Sequence, residues 1–199
     1  NLGEIQLNVP GEHNVLNSLA AVVLGLEMGL SFKKISAGIA SYKGVRRRFD
    51  IKGTHNDIMV VDDYAHHPTE IVATLLAARS GWNRRIIAVF QPHLFTRTKE
   101  FFREFSIALK NADVVLILDI YPAREKPIAG VTAKLIYNEL HKVMNNKCQF
   151  VPEIDNLNEI LDGIVLPNDM VITLGAGSIW RYSESYMEHL NSINFGENN

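Results

Sequence analysis

The chain has 199 residues, 47% of them hydrophobic, enough for one domain with a core of ordinary size and part of another. Lys and Arg number 20 against 22 Asp and Glu, and the formal charge of -2 excludes an overall field that would draw nucleic acid or an anionic membrane. A single cysteine, Cys148, excludes an internal disulfide and a cysteine cage for zinc, and fits a reducing cytoplasm; a partly buried thiol beside a strand is expected there.

No apolar run approaches the ~20 residues needed to cross a bilayer, and the amino end lacks the charged-then-apolar profile of a secretory signal. The chain begins at Asn1 rather than Met, so a piece of a longer protein is expected. In chain order, residues 1–44 read as a turn, a long small-residue helix in "GEHNVLNSLAAVVLGLEMGL", and a shorter helix in "SFKKISAGIASYK" opened by a serine cap. They look like the end of a neighbouring domain. The boundary falls near "KGVRRRF", which leaves 45–199 as the main domain.

From "IMVV" onward short β-rich runs alternate with helical patterns. "IMVV" leads to a helix over 68–79, with Pro68 in its first turn and Ile71, Leu75 and Ala78 on one buried face. "RIIAVFQ", "DVVLILDIY", "QFVP" and "MVITLG" follow, with helices expected over 97–110, 131–142 and 155–162 and after the last strand. Strands of 4–8 residues separated by helices predict an α/β, Rossmann-like, mostly parallel doubly wound sheet. The tail "NSINFGENN" is expected to fray.

Ligands of an open parallel sheet bind beyond the carboxyl ends of its strands, where loops and helix N-termini converge. Polar clusters sit after four strands: Asp62 to His67, Gln91 to Thr98, Tyr121 to Lys126, and Gly175 to Ser178. Asp62 or Asp63 can serve simply to cap a turn. Two adjacent acids nevertheless repel unless a cation or a donor-rich ligand relieves them. His66, His67 and His93 lack the helical spacing of a zinc site, so imidazoles bound to substrate or backbone are favoured over a metal. Arg97, at the start of a helix, suits a carboxylate or phosphate, although an exposed first-turn arginine looks the same in sequence. "GAGSIW" is a weak dinucleotide signal, because it lacks the third glycine and follows the last strand. Arg46, Arg47 and Arg48 make a poor nucleic-acid footprint; one of them on a nucleotide phosphate, with the other two solvated, is the expectation.

Taken together and in order, "GEHNVLN", "RRRF", "VDDYAHHPTE", "FQPHLFTRT" and "LGAGSIW" closely resemble the Mur ligase family. "DDYAHHPTE" with "FQPH" and "TRT" is the most specific part. The resemblance implies three domains, of which this chain would hold the last helices of the central ATPase (1–44) and the whole carboxyl-terminal Rossmann-like domain (45–199). It implies ATP-dependent joining of L-alanine to UDP-N-acetylmuramate for the cell wall, with Mg²⁺ held mainly by the central domain and the preceding domains as partners. It further implies that His13, Asn14, Asn17, Arg48 and Asp63 contact the nucleotide. Tyr64, His66, His93 and Arg97 would lie by the amino acid, with Tyr64, His66 and Arg97 next to the nascent amide. Ala65, Phe95, Leu94 and Ser178 depart from residues expected as Gly, Tyr, Arg and Asp, and with Leu94 in place of the arginine, Arg97 is expected as the sole cation for the amino-acid carboxylate. No G-x-x-x-x-G-K-[ST] loop occurs in the chain, so it is not expected to be active alone. Alternatives are a ligase that recycles a preformed tripeptide onto the same sugar nucleotide, an oxidoreductase domain, and a non-catalytic binding module.

Overall fold

A computed structural model describes residues 1–193. The fraying expected of the tail falls mainly on 194–199, outside the described residues. Two helices open the chain, α1 (Glu12–Glu27) and α2 (Phe32–Ser41). They cross closely where Gly25 faces Ile35: a Cβ on Gly25 would lie 2.8 Å from the Ile35 side chain. Ser31 stands at the N-cap of α2, but its hydroxyl makes no capping bond, contrary to the capping read from sequence.

Among the described residues six strands form one sheet in the order β1-β2-β6-β3-β4-β5. They are β1 (Asp50–His55), β2 (Ile58–Asp63), β3 (Arg85–Phe90), β4 (Val114–Leu118), β5 (Cys148–Val151) and β6 (Asp169–Leu174). All neighbours pair parallel except β1 with β2. The crossovers run through α3 (Pro68–Gly81), α4 (Phe95–Leu109), α5 (Lys134–Met144) and α6 (Leu157–Asp162), and α7 (Trp180–Ser192) follows β6. The helices predicted over 97–110, 131–142 and 155–162 are thus found within a few residues, with a short 3₁₀ turn, Ile154–Asn156, ahead of α6.

Strand alternation builds two cores. Met59, Val61, Ile86, Ala88 and Phe90 face Ile71, Leu75, Phe105, Ile136 and Leu140 of α3, α4 and α5. Ile58, Val60, Ile87 and Val89 face Leu157, Leu161, Tyr186 and Leu190 of α6 and α7. Both faces of the sheet are therefore covered, as the continuous apolar strands require. The edge strand β1 is absent from the sequence reading. It forms a hairpin with β2 through Asn56 and Asp57, whose positive φ values of 48° and 61° suit a two-residue turn.

At the amino ends of the strands, Arg85 holds Asp169 by two bonds of 3.0 and 2.7 Å, and Asp169 also accepts from the Leu166 N–H. The Asp169 carboxylate is buried, so Asp169→Ala strands a cation and an N–H. Because Arg85 is more than a third exposed and its charge stays hydrated, the change is expected to cost about 1–3 kcal/mol in urea unfolding, mainly through the stranded N–H. Because this end is remote from the polar clusters, ligand affinities are expected to stay unchanged.

Candidate active site

The four polar clusters lie at the carboxyl ends of β2, β3, β4 and β6. Their adjacency follows from the parallel pairing of β2 with β6, β6 with β3, and β3 with β4. Alternation along β2 sends its two final acids to different partners. Asp62, fully buried, accepts from Arg47 Nε at 3.2 Å and from the Thr173 hydroxyl at 2.7 Å. Asp63 accepts from the backbone N–H of Phe49 and of Ala65, both at 2.8 Å, so it does close a turn. Burial pushes both carboxyls above the ordinary range, against the lowering effect of their donors.

Asp63 also lines a pocket of about 450 Å³ between α1, the 42–49 loop and α3, together with His13, Asn14, Asn17 and Arg48. A carboxylate offers about four lone-pair directions, so the two backbone bonds leave it capacity for a ligand. Asn14 is held by the Pro10 carbonyl at 2.6 Å, and Asn17 reaches Asn14 at 3.5 Å. Phe49 stacks on Trp82 at 5.1 Å beside this pocket.

Next to the pocket is a rim of aromatic and cationic groups. Tyr64 meets the His66 ring edge-on at 4.9 Å, His66 meets His93 at 6.0 Å, and His93 stacks on Tyr121 at 5.8 Å. Arg97 Nη1 lies 3.4 Å from His93 Nδ1. A guanidinium only donates, so His93 Nδ1 is the bare nitrogen. His66 has the opposite tautomer, because its Nδ1 donates to the Tyr64 carbonyl at 2.9 Å and Nε2 is left as the acceptor. His67 is turned away, bonding to Thr69 and packing on Phe101 at 5.1 Å, so the three histidines do not converge. Among the described residues no group of three or more His, Cys, Asp or Glu is disposed to hold a metal.

The pocket and the rim share residues. The Arg48 guanidinium is 5.3 Å from the Tyr64 ring and 3.9 Å from Glu70. Glu70 in turn accepts from the N–H of His66 at 3.0 Å and of His67 at 3.2 Å. Burial raises the Glu70 pKa, but these N–H bonds and the His66 ring more than offset it, so the carboxyl sits below its usual value. Glu70 was missed in sequence, although a Glu in the first turn after Pro68 is a recognisable capping signal. Glu125, which accepts from the N–H of Thr96 at 3.0 Å, and Gln91, which accepts from the Ile179 N–H at 3.2 Å, fall within the polar clusters read from sequence, but no motif marked either of them individually.

One expectation for the arginine triplet needs correcting. Arg47 is not solvated: it lies behind the rim on Asp62 and on the Gly175 carbonyl at 2.6 Å. Arg46 is exposed, as expected, and pairs with Glu184 at 2.9 Å, leaving Arg48 as the member that faces the pocket. Leu94, one of the departures noted above, sits at the start of α4 with a left-handed φ of 73°.

Burial, then Arg97, then His66 hold the His93 pKa below 6.5, with Glu125 opposing. A histidine kept neutral by the fold contributes stability that is complete above its unfolded pKa and lost as pH falls through the lower folded value. His93→Gln is therefore expected to flatten the decline in thermal midpoint below about pH 6.5, as read by a melting series against pH.

An open, doubly wound sheet with such a rim beyond its strands defines an α/β domain of the Rossmann-like class, and its residues 47–177 match the family model described as "Mur ligase, glutamate ligase domain". The chain belongs to the Mur ligase family. It is 49% identical over 189 residues to the UDP-N-acetylmuramate–L-alanine ligase of Geotalea uraniireducens (strain Rf4), covering 95% of this chain and 41% of that protein. It is 50% identical to the ligase of the same name from Geotalea daltonii, with the same coverage. The solved UDP-N-acetylmuramate-alanine ligase of Thermotoga maritima superposes with a TM-score of 0.82 at 32% identity, over 96% of this chain and 40% of that one. The chain thus spans about two-fifths of the length of the relatives it matches.

Proposed function

We propose that this chain supplies the amino-acid site and the nucleotide-closing wall of a cytoplasmic, ATP-dependent ligase that joins L-alanine to UDP-N-acetylmuramate in peptidoglycan synthesis. The observation that supports it is the adjacency of a polar nucleotide-sized pocket and a cation–imidazole rim sharing Arg48 and Glu70. In this reading His13, Asn14, Asn17 and Asp63 hold adenine and ribose, and Arg48 meets the phosphates. The γ-phosphoryl of ATP passes to the muramyl carboxylate, giving an acyl phosphate and ADP. Arg97 then receives the alanine carboxylate and Tyr64 walls the site. The amine attacks the acyl carbon, its surplus proton goes to the bare Nε2 of His66, and phosphate leaves from the tetrahedral intermediate.

Mg²⁺, when bound, neutralises phosphate charge. No cluster among the described residues suits it, and its ligands are assigned to other parts of the polypeptide. Residues 1–44 are assigned to the end of the central ATPase domain and 45–199 to the carboxyl-terminal domain. The exposed apolar side chains of α1, among them Leu16, Leu19, Val23 and Leu24, favour this division, since a helix face of that kind calls for further protein.

The test is alanine-dependent phosphate release from ATP and UDP-N-acetylmuramate, measured on the full-length polypeptide and on residues 1–199 alone. Turnover is expected for the former and none for the latter. Release that needs a preformed tripeptide and ignores alanine would replace this reading with the recycling ligase. The 49–50% identity to alanine ligases favours alanine.

A further inference from the structure

We propose that Arg47, which touches neither ligand in the reading above, is the positioning residue that sets Tyr64 against the rest of the amino-acid rim; the proposal rests on that reading of the rim. Arg47 holds Tyr64 twice. Its carbonyl accepts the Tyr64 N–H at 2.7 Å, and its guanidinium carbon lies 4.9 Å from the centre of the Tyr64 ring. The same guanidinium donates to Asp62 at the end of β2 and to the Gly175 and Gly177 carbonyls beyond β6, at 3.2, 2.6 and 3.4 Å. Gly177 leads on to the other half of the rim. A Cβ there would lie 2.6 Å from Tyr121, the residue stacked on His93, which Arg97 contacts. Arg47 therefore stands between the Tyr64–His66 half and the His93–Arg97 half.

Stability alone does not account for this arrangement. The Arg47 side chain is only 20% exposed and that of Asp62 is 0%, and a buried pair of this kind is seldom better than apolar residues of the same volume. Arg47 also adopts a left-handed φ of 63°, unfavourable for a residue with a Cβ. Its planar fork can serve an acid, two carbonyls and a ring together, whereas a lysine ammonium cannot keep that geometry.

The experiment uses the full-length enzyme and Arg47→Lys, which retains the charge. The KM for alanine is expected to rise about tenfold while that for ATP stays within about twofold, a split that general loosening would not give. Combined with Tyr64→Leu, the effects are expected to be non-additive, the double variant being no worse than Tyr64→Leu alone. Additive effects, or both KM values rising together with a fall in thermal midpoint, overturn the proposal. If Arg47→Lys does not fold, the paired change Arg47→Gln with Asp62→Asn removes both charges, and an unaltered KM for alanine in that variant overturns it equally. Should Tyr64→Leu leave the KM for alanine unchanged while Arg97→Ala raises it, the rim reading stands and the positioning role falls. Should neither move it, the rim reading fails and the positioning role falls with it.

Discussion

Arg97→Ala in the full-length polypeptide is expected to raise the KM for alanine about 10²-fold, with the KM for ATP changed by less than about threefold. A charge-assisted bond from a guanidinium to a carboxylate contributes about 1.5–3 kcal/mol, and each 1.4 kcal/mol is a factor of ten. The upper part of that range applies because Leu94 offers no second cation and, among the described residues, Arg97 has only the His93 ring as a bonded side-chain neighbour. Arg97→Lys is expected to recover only part of the loss, since an ammonium does not form the paired bonds. Initial rates at saturating ATP give the number directly, and equal effects on the two KM values would remove Arg97 from the amino-acid site.

Asp63→Ala is expected to do the reverse, raising the KM for ATP about 10–100-fold and that for alanine far less, if the ribose hydroxyls bind its carboxylate. It carries a second consequence. The N–H groups of Phe49 and Ala65 both lose their acceptor in a buried turn. At about 1–3 kcal/mol for each stranded donor, stability is expected to fall by roughly 2–6 kcal/mol in denaturant unfolding. Asp63→Asn keeps an acceptor for one of the two, so it is expected to regain part of the stability with little of the ATP affinity. Stability and KM moving in strict proportion across Asp63→Asn and Asp63→Ala would reduce Asp63 to its turn-closing role.

The parallel strands were legible because burial on both faces leaves an uninterrupted apolar run, as in "IIAVF" and "VVLIL", and the polar residues that follow each run mark its carboxyl end. β1 was not, because an edge strand with Lys52 and Gly53 has one wet face and a register shift between Ile51 and Gly53. The two-residue turn at Asn56 and Asp57 was its only local trace. Within the site, sequence alone could not say which of Arg46, Arg47 and Arg48 lies behind the rim. Three consecutive identical side chains are sorted by the left-handed turn at Arg47 and by a carboxylate 15 residues away. Nor could it separate the two acids at the end of β2 by partner, which depends on strand register relative to α3 and β6. The grouping of polar clusters at one edge was readable because topology alone determines it. Glu125 and Gln91 act through loops whose course no periodicity encodes.

Cys148 begins β5 with its thiol buried and pushed up to about 12 by that burial. A thiol so protonated and so shielded reacts poorly with maleimides near neutrality, since the thiolate is the attacking species. Within this domain, then, the native sulfur need not be mutated away before a fluorophore is attached to a new surface cysteine. A dye on α3, read against one on a neighbouring domain, would report whether a nucleotide draws the two together.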